Sequence, residues 1–144
     1  MTQHLVLRVV AKLLLPFILL YALYVQWHGD YGPGGGFQAG VIFAVGFILY
    51  GLIFGTEALA RVFPQRMAIA AMCIGLLIYA GTGMAGIVLG HDFLDYSPLA
   101  HDPVHGQEWG ILLVELGVGI AVAAAMVSIF SAFAGRAPSD DVER

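Results

Sequence analysis

Charge is what this sequence has least of. Only 11% of its 144 residues are Asp, Glu, Lys or Arg, while 60% are hydrophobic; a soluble domain carries about 25% charged residues. With a mean hydropathy of +0.87, that balance excludes an ordinary soluble fold and points to a polytopic membrane protein. Cysteine is nearly absent. Cys73 is the single one, which excludes an intrachain disulfide or a Cys-ligated metal centre, and its apolar surroundings suggest a small core hydrophobe. Histidine is missing from the long apolar runs: His4 is near the N terminus and the other four lie in polar connections. A bundle carrying haem or quinone on imidazoles at membrane depth is therefore excluded. Nucleotide-binding loops, a catalytic constellation and an inverted repeat are also absent. The chain reads as a non-enzymatic piece of a larger membrane assembly, without cofactor and without affinity for nucleic acid.

What is present is four apolar spans, at about 5–27, 37–59, 67–90 and 109–133. Each is near the ~20 residues that a helix needs to cross a bilayer. The expectation is an all-α fold, a single membrane domain over 1–144 with four transmembrane helices and a tail from 134 to 144. Pro16 kinks the first span without ending it, because neighbouring helices can satisfy the freed carbonyl. That span is too long for a signal peptide, and no small-residue cleavage site follows Trp27. The basic residues set the orientation. Arg8, Lys12, Arg61, Arg66, Arg136 and Arg144 are the only six, and all fall on one side of the predicted membrane. The positive-inside rule places both termini and the 60–66 connection in the cytoplasm. Tyr21, Tyr24, Trp27, Tyr31, Tyr96 and Trp109 gather towards the other interface.

The outward connections are acidic and rich in histidine. His28 and Asp30 lie in the first; His91, Asp92, Asp95, His101, Asp102, His105 and Glu108 lie in or beside the second, with no Lys or Arg. Such a surface concentrates cations, and its histidines titrate near neutral pH; polar loops that simply meet water would look the same. His101 and His105 flank a proline in HDPVH, which argues against one helix face presenting both imidazoles, so no metal site is expected. Within the spans, Glu115 lies roughly 9 Å below the outer interface. Lys12 and Glu57 lie near the cytoplasmic ends of the first two spans, at depths that permit an ion pair. A charge at membrane depth is costly unless it meets a partner or water. Glu115, Glu57, Lys12 and Glu108, which is seven residues before Glu115 on the same helical face, are therefore the ion-path candidates. Small-residue rows at Gly51/Gly55, Thr82/Gly86/Gly90 and Gly117/Ala121/Ala125 permit close helix approach.

The stretch WHGDYGPGGGFQAGVIFA then narrows the field. Pro33, Gly34, Gly35, Gly36, Phe37, Gln38 and Gly40, with His28 and Gly29 upstream, resemble the signature of the B subunit of Mrp-type multisubunit Na⁺/H⁺ antiporters, the MnhB/MrpB family. There a PGGGFxGG-like segment follows the first helix and opens the second; Ala39 stands where a second glycine is common. The resemblance covers essentially the whole chain. It implies a multi-pass subunit of a bacterial or archaeal plasma membrane, whose complex exchanges Na⁺ for protons. Its partners would be the other Mrp subunits, including large ones like those of respiratory complex I, and the lipid bilayer. A related subunit of a Na⁺-translocating hydrogenase, or a purely assembly role, is the alternative.

The residues themselves give the segment a physical task. Pro33 disfavours helix at Gly32, and the bare backbone of Gly34–Gly36 lets another helix press close or offers carbonyls to a cation. The topology is open to direct test. In a Cys73→Ser background, a membrane-impermeant maleimide added outside intact cells should label His101→Cys and leave Gln65→Cys unlabelled; the reverse pattern would invert the orientation.

Overall fold

A computed structural model of the chain describes residues 2–29 and 34–135, with side chains from residue 5 onward. Asp30, Pro33 and the segment 136–144 with its two arginines lie outside the described residues. Among the described residues five α-helices follow one another: α1 (Thr2–Trp27), α2 (Gly36–Phe54), α3 (Thr56–Val62), α4 (Gln65–Val88) and α5 (Pro103–Ala134). A short 3₁₀ turn, Ser97–Leu99, lies between α4 and α5. Four of these helices are long and apolar enough to span a bilayer. The all-α, four-span architecture is that expected from the hydropathy pattern.

Two boundaries differ from the expectation by more than three residues, each for a local reason. The second span stops at Phe54, because Gly55 adopts φ 97° and ψ 156°, a region open to glycine but not to other residues. Glu57 consequently sits in the first turn of a separate helix, α3, and is exposed. The fourth span begins at Pro103 rather than 109. Asp102 caps it, accepting from the Val104 N–H at 3.1 Å, and Pro103 occupies the first turn, where it has no intrahelical partner to lose. Cys73 is exposed on α4 rather than enclosed in the core.

α5 is the central element. It packs against α4 on one side and α2 on the other, and α1 packs on α2. Lipid offers apolar side chains no reason to desert it, so close packing and polar contacts hold such helices together. Here glycine supplies the closeness. A Cβ on Gly75 of α4 would stand 2.6 Å from the Gly117 carbonyl oxygen of α5, and one on Gly117 would stand 2.8 Å from the Gly75 oxygen. On the other flank, a Cβ on Gly40 of α2 would stand 2.6 Å from the Gly119 oxygen. α1 meets α2 where Ile18 and Leu19 cover Gly46. At the basic end, Ala44, Leu59 and Val127 form a small core under Phe47, Phe63 and Phe130. The small-residue rows divide their work: Gly117 and Ala121 serve the α4–α5 contact, Gly86 receives the 92–95 backbone, and Gly55 breaks a helix.

Arg8 and Lys12 on α1 both approach the Phe54 ring, at 6.0 and 5.5 Å from its centroid. With Arg61 and Arg66 flanking the start of α4, the described basic residues share one end of the bundle. The outward side of α1 is broadly apolar: Leu13, Phe17 and Leu20 are each more than 60% exposed. If backbone contact holds α4 to α5, Gly117→Val should destabilise the chain by about 1–3 kcal/mol. Gly81→Ala, which meets nothing within 4 Å, should leave stability unchanged or raise it. Unfolding in mixed micelles, followed by circular dichroism, distinguishes the two.

Candidate functional site

At the end of the bundle opposite the basic residues, the glycine segment closes over α5. The first residue of α2, Gly36, lies so near α5 that any Cβ there would collide with the Glu115 carbonyl. Gly35, the N-cap, takes φ 127° and ψ 175°. A Cβ on Gly35 would stand 2.9 Å from Glu115 Oε1, and one on Gly29 would stand 2.7 Å from Oε2. The carboxylate therefore lies between two glycines that flank the first connection. Gly34, Gly35, Gly36, Phe37 and Gln38 face Val114, Glu115 and Val118 across an open recess of about 260 Å³. Oxygen atoms are plentiful there: Gln38 Oε1 lies 3.7 Å from the Gly35 Cβ position, and the Val25 carbonyl 3.0 Å from that of Gly34. The first N–H groups of α2, which have no partner within the helix, and its positive dipole end also favour a negative charge at this place.

The second outer connection is built rather than loose. Asp95 accepts from the Ser97 N–H at 3.0 Å and from Ser97 Oγ at 2.7 Å. Gln107 Nε2 donates to the same oxygen at 3.3 Å, and His91 Nδ1 meets the other at 3.0 Å. The two Ser97 hydrogen bonds, the side-chain one foremost, hold the Asp95 carboxyl below its ordinary value. Tyr96 is buried where Gly110 leaves room for its ring. His105 Nδ1 contacts Asp102 Oδ2 at 3.1 Å, so this pair belongs to the start of α5. Asp92, His101 and Glu108 are exposed at the same end. His28 stacks on Tyr24 at 5.0 Å between ring centroids.

The remaining candidates disperse. Among the described residues, Lys12 and Glu57 form no ion pair; Lys12 instead lies over Phe54, and the break at Gly55 carries Glu57 onto α3. No group of three or more His, Cys, Asp or Glu side chains is arranged to hold a metal among the described residues. Two residues beyond the recess, Gln26 and Gly119, escape composition-based reasoning. Gln26, on the last turn of α1, is 7% exposed, and its Oε1 lies 2.7 Å from the position a Cβ on Gly119 would take. The available signal is a spacing: Gly36 and Gly40 on α2 repeat the four-residue interval of Glu115 and Gly119 on α5.

Residues 6–128 match the family model described as "Domain related to MnhB subunit of Na+/H+ antiporter". The chain is 34% identical over 133 residues to a Staphylococcus haemolyticus protein named "Putative antiporter subunit mnhB2", covering 90% of this chain and 94% of that one. It is 35% identical to the protein of the same name from Staphylococcus aureus strain Newman, with the same coverage.

The Asp95 network carries its own pH signature. A carboxyl depressed by folding contributes fully above its unfolded value of 3.8 and loses that contribution as pH falls through the lower folded value. Protection of the Ser97 amide from hydrogen exchange, corrected for intrinsic rate, should stay level from neutrality to about pH 4 and fall only below it. In Asp95→Ala protection should be low at every pH.

Proposed function

The chain belongs to the MnhB family of Na⁺/H⁺ antiporter subunits, and from that membership we propose that it admits a cation to Glu115 beneath the glycine segment. The observation that carries this reading is the Glu115 carboxylate lying between Gly29 and Gly35 on an open recess. Glycine matters because any Cβ at those two positions would fill the space around its oxygens. Hard monovalent cations favour oxygen ligands, and carbonyls of unwound backbone beside a helix end supply them in transporters. The acidic, histidine-bearing end of the bundle, without Lys or Arg among the described residues, raises the local cation concentration. Glu108 and the exposed Asp92 stand at the approach, and Glu115 is the next carboxylate along α5.

In this account the subunit works inside a multisubunit assembly in a prokaryotic plasma membrane, beside the large antiporter subunits. Its basic end, with Arg8, Lys12, Arg61 and Arg66, faces the cytoplasm. Glu115 exchanges a proton for Na⁺ beside the first turn of α2. Replacing Glu115 by Gln keeps the shape and removes the charge. In everted vesicles bearing the assembled complex, Na⁺-dependent proton flux should fall by about tenfold or more, equivalent to ~1.4 kcal/mol or more of lost stabilisation. Unchanged flux with normal assembly would leave Glu115 only as an anchor for the N terminus of α2.

A further inference from the structure

A second cavity lies deeper in the span. It is a half-open groove of about 200 Å³ that follows α5 from Leu116 to Val127 and is walled by α1 and α2, with Phe63, which follows α3, and Ala71 of α4 also lining it. That stretch of helix is roughly 16 Å long, close to the ~15 Å of hydrocarbon in one leaflet. Leu23, Phe43, Phe47, Ile120 and Ala123 make its surface almost wholly apolar. Among the described residues one polar side chain lines it: Gln26, its amide tucked beneath the wall, next to the last residue of α1 and so near the outer edge of the hydrocarbon layer. Gln26 is 93% buried, yet its Nε2 has no hydrogen-bond partner among the described residues. A buried donor left unpaired is destabilising, and within a bilayer no bulk water relieves it.

We propose that this groove is a lipid site, in which one acyl chain of a glycerophospholipid lies along α5 and a turn of the Gln26 side chain lets its Nε2 donate a hydrogen bond to the ester carbonyl. The length of the groove suits one leaflet, and the donor stands at the end where ester groups reside. An ordered water or hydrated cation needs two to four polar partners, and the groove offers one. A neighbouring transmembrane helix has already committed its backbone carbonyls to its own hydrogen bonds, whereas an ester carbonyl is a free acceptor. The site is separate from the recess at Glu115 and does not depend on the role assigned to that carboxylate.

Native mass spectrometry of the full chain in mild detergent tests this with two synthetic phospholipids, one ester-linked and one ether-linked, of equal chain length. The native protein should retain one ester lipid, and the ether lipid, lacking the carbonyl, about five- to tenfold more weakly. Gln26→Leu should abolish that preference, and Ala123→Phe, which fills the groove, should abolish retention. Equal retention of ester and ether lipids by the native chain overturns the carbonyl contact without reliance on any variant. Retention by folded Ala123→Phe equal to that of the native chain overturns the location. So does disulfide capture of Ala123→Cys by another subunit in the assembled, lipid-free complex.

Discussion

Backbone touching backbone along α5 is the constraint on which the rest of this structure depends. Three carbonyls of that helix, at Glu115, Gly117 and Gly119, each face a glycine of a neighbouring helix at a distance that excludes a side chain. Gly75 of α4 and Gly36 and Gly40 of α2 are those neighbours. In lipid, burial of apolar side chains supplies little drive for association, so dispersion between closely apposed backbones takes its place. The same contacts set the register. Because Gly36 and Gly40 are four apart, they meet Glu115 and Gly119, which are also four apart, and the N terminus of α2 is delivered to the Glu115 carboxylate. The site is a consequence of how the helices pack.

The outer surface follows the same economy. Tyr96 seats the second connection on α5 through the space that Gly106 and Gly110 leave, while Gly83 and Gly86 receive residues 92–95 on α4. Asp95 and Asp102, two of the acidic residues that give this end its charge, also fasten the turn and the start of α5. An acidic surface and a scaffold that holds its shape are here made by the same side chains. At the opposite end, Arg8 and Lys12 cluster near Phe54, so the charge asymmetry runs the length of the bundle.

The spans were legible in the sequence because hydropathy over ~20 residues is a strong signal. The breaks were not. Gly55 lies in an apolar run where a glycine inside a helix and a glycine ending one look alike, and only its positive φ distinguishes them. The start of α5 was missed because its first turns, Pro103 to Glu108, are helical but not apolar; the Asp102–Pro103 capping pair marked them. Depth alone made Lys12 and Glu57 plausible partners, but depth carries no azimuth, and the break at Gly55 separated them. Glu115 could be singled out as a charge in an apolar span. Its meeting with Gly29 and Gly35 depends on tertiary contact between segments about eighty residues apart, which no local pattern contains.

The most direct measurement is made on Gly36→Ala, where a single methyl group enters the contact between α2 and the Glu115 carbonyl. If that contact both holds the fold and positions the carboxylate, the variant should show a lowered unfolding midpoint and, in the assembled complex, reduced Na⁺-dependent proton flux. A Gly36→Ala protein with native stability and native exchange would contradict the account.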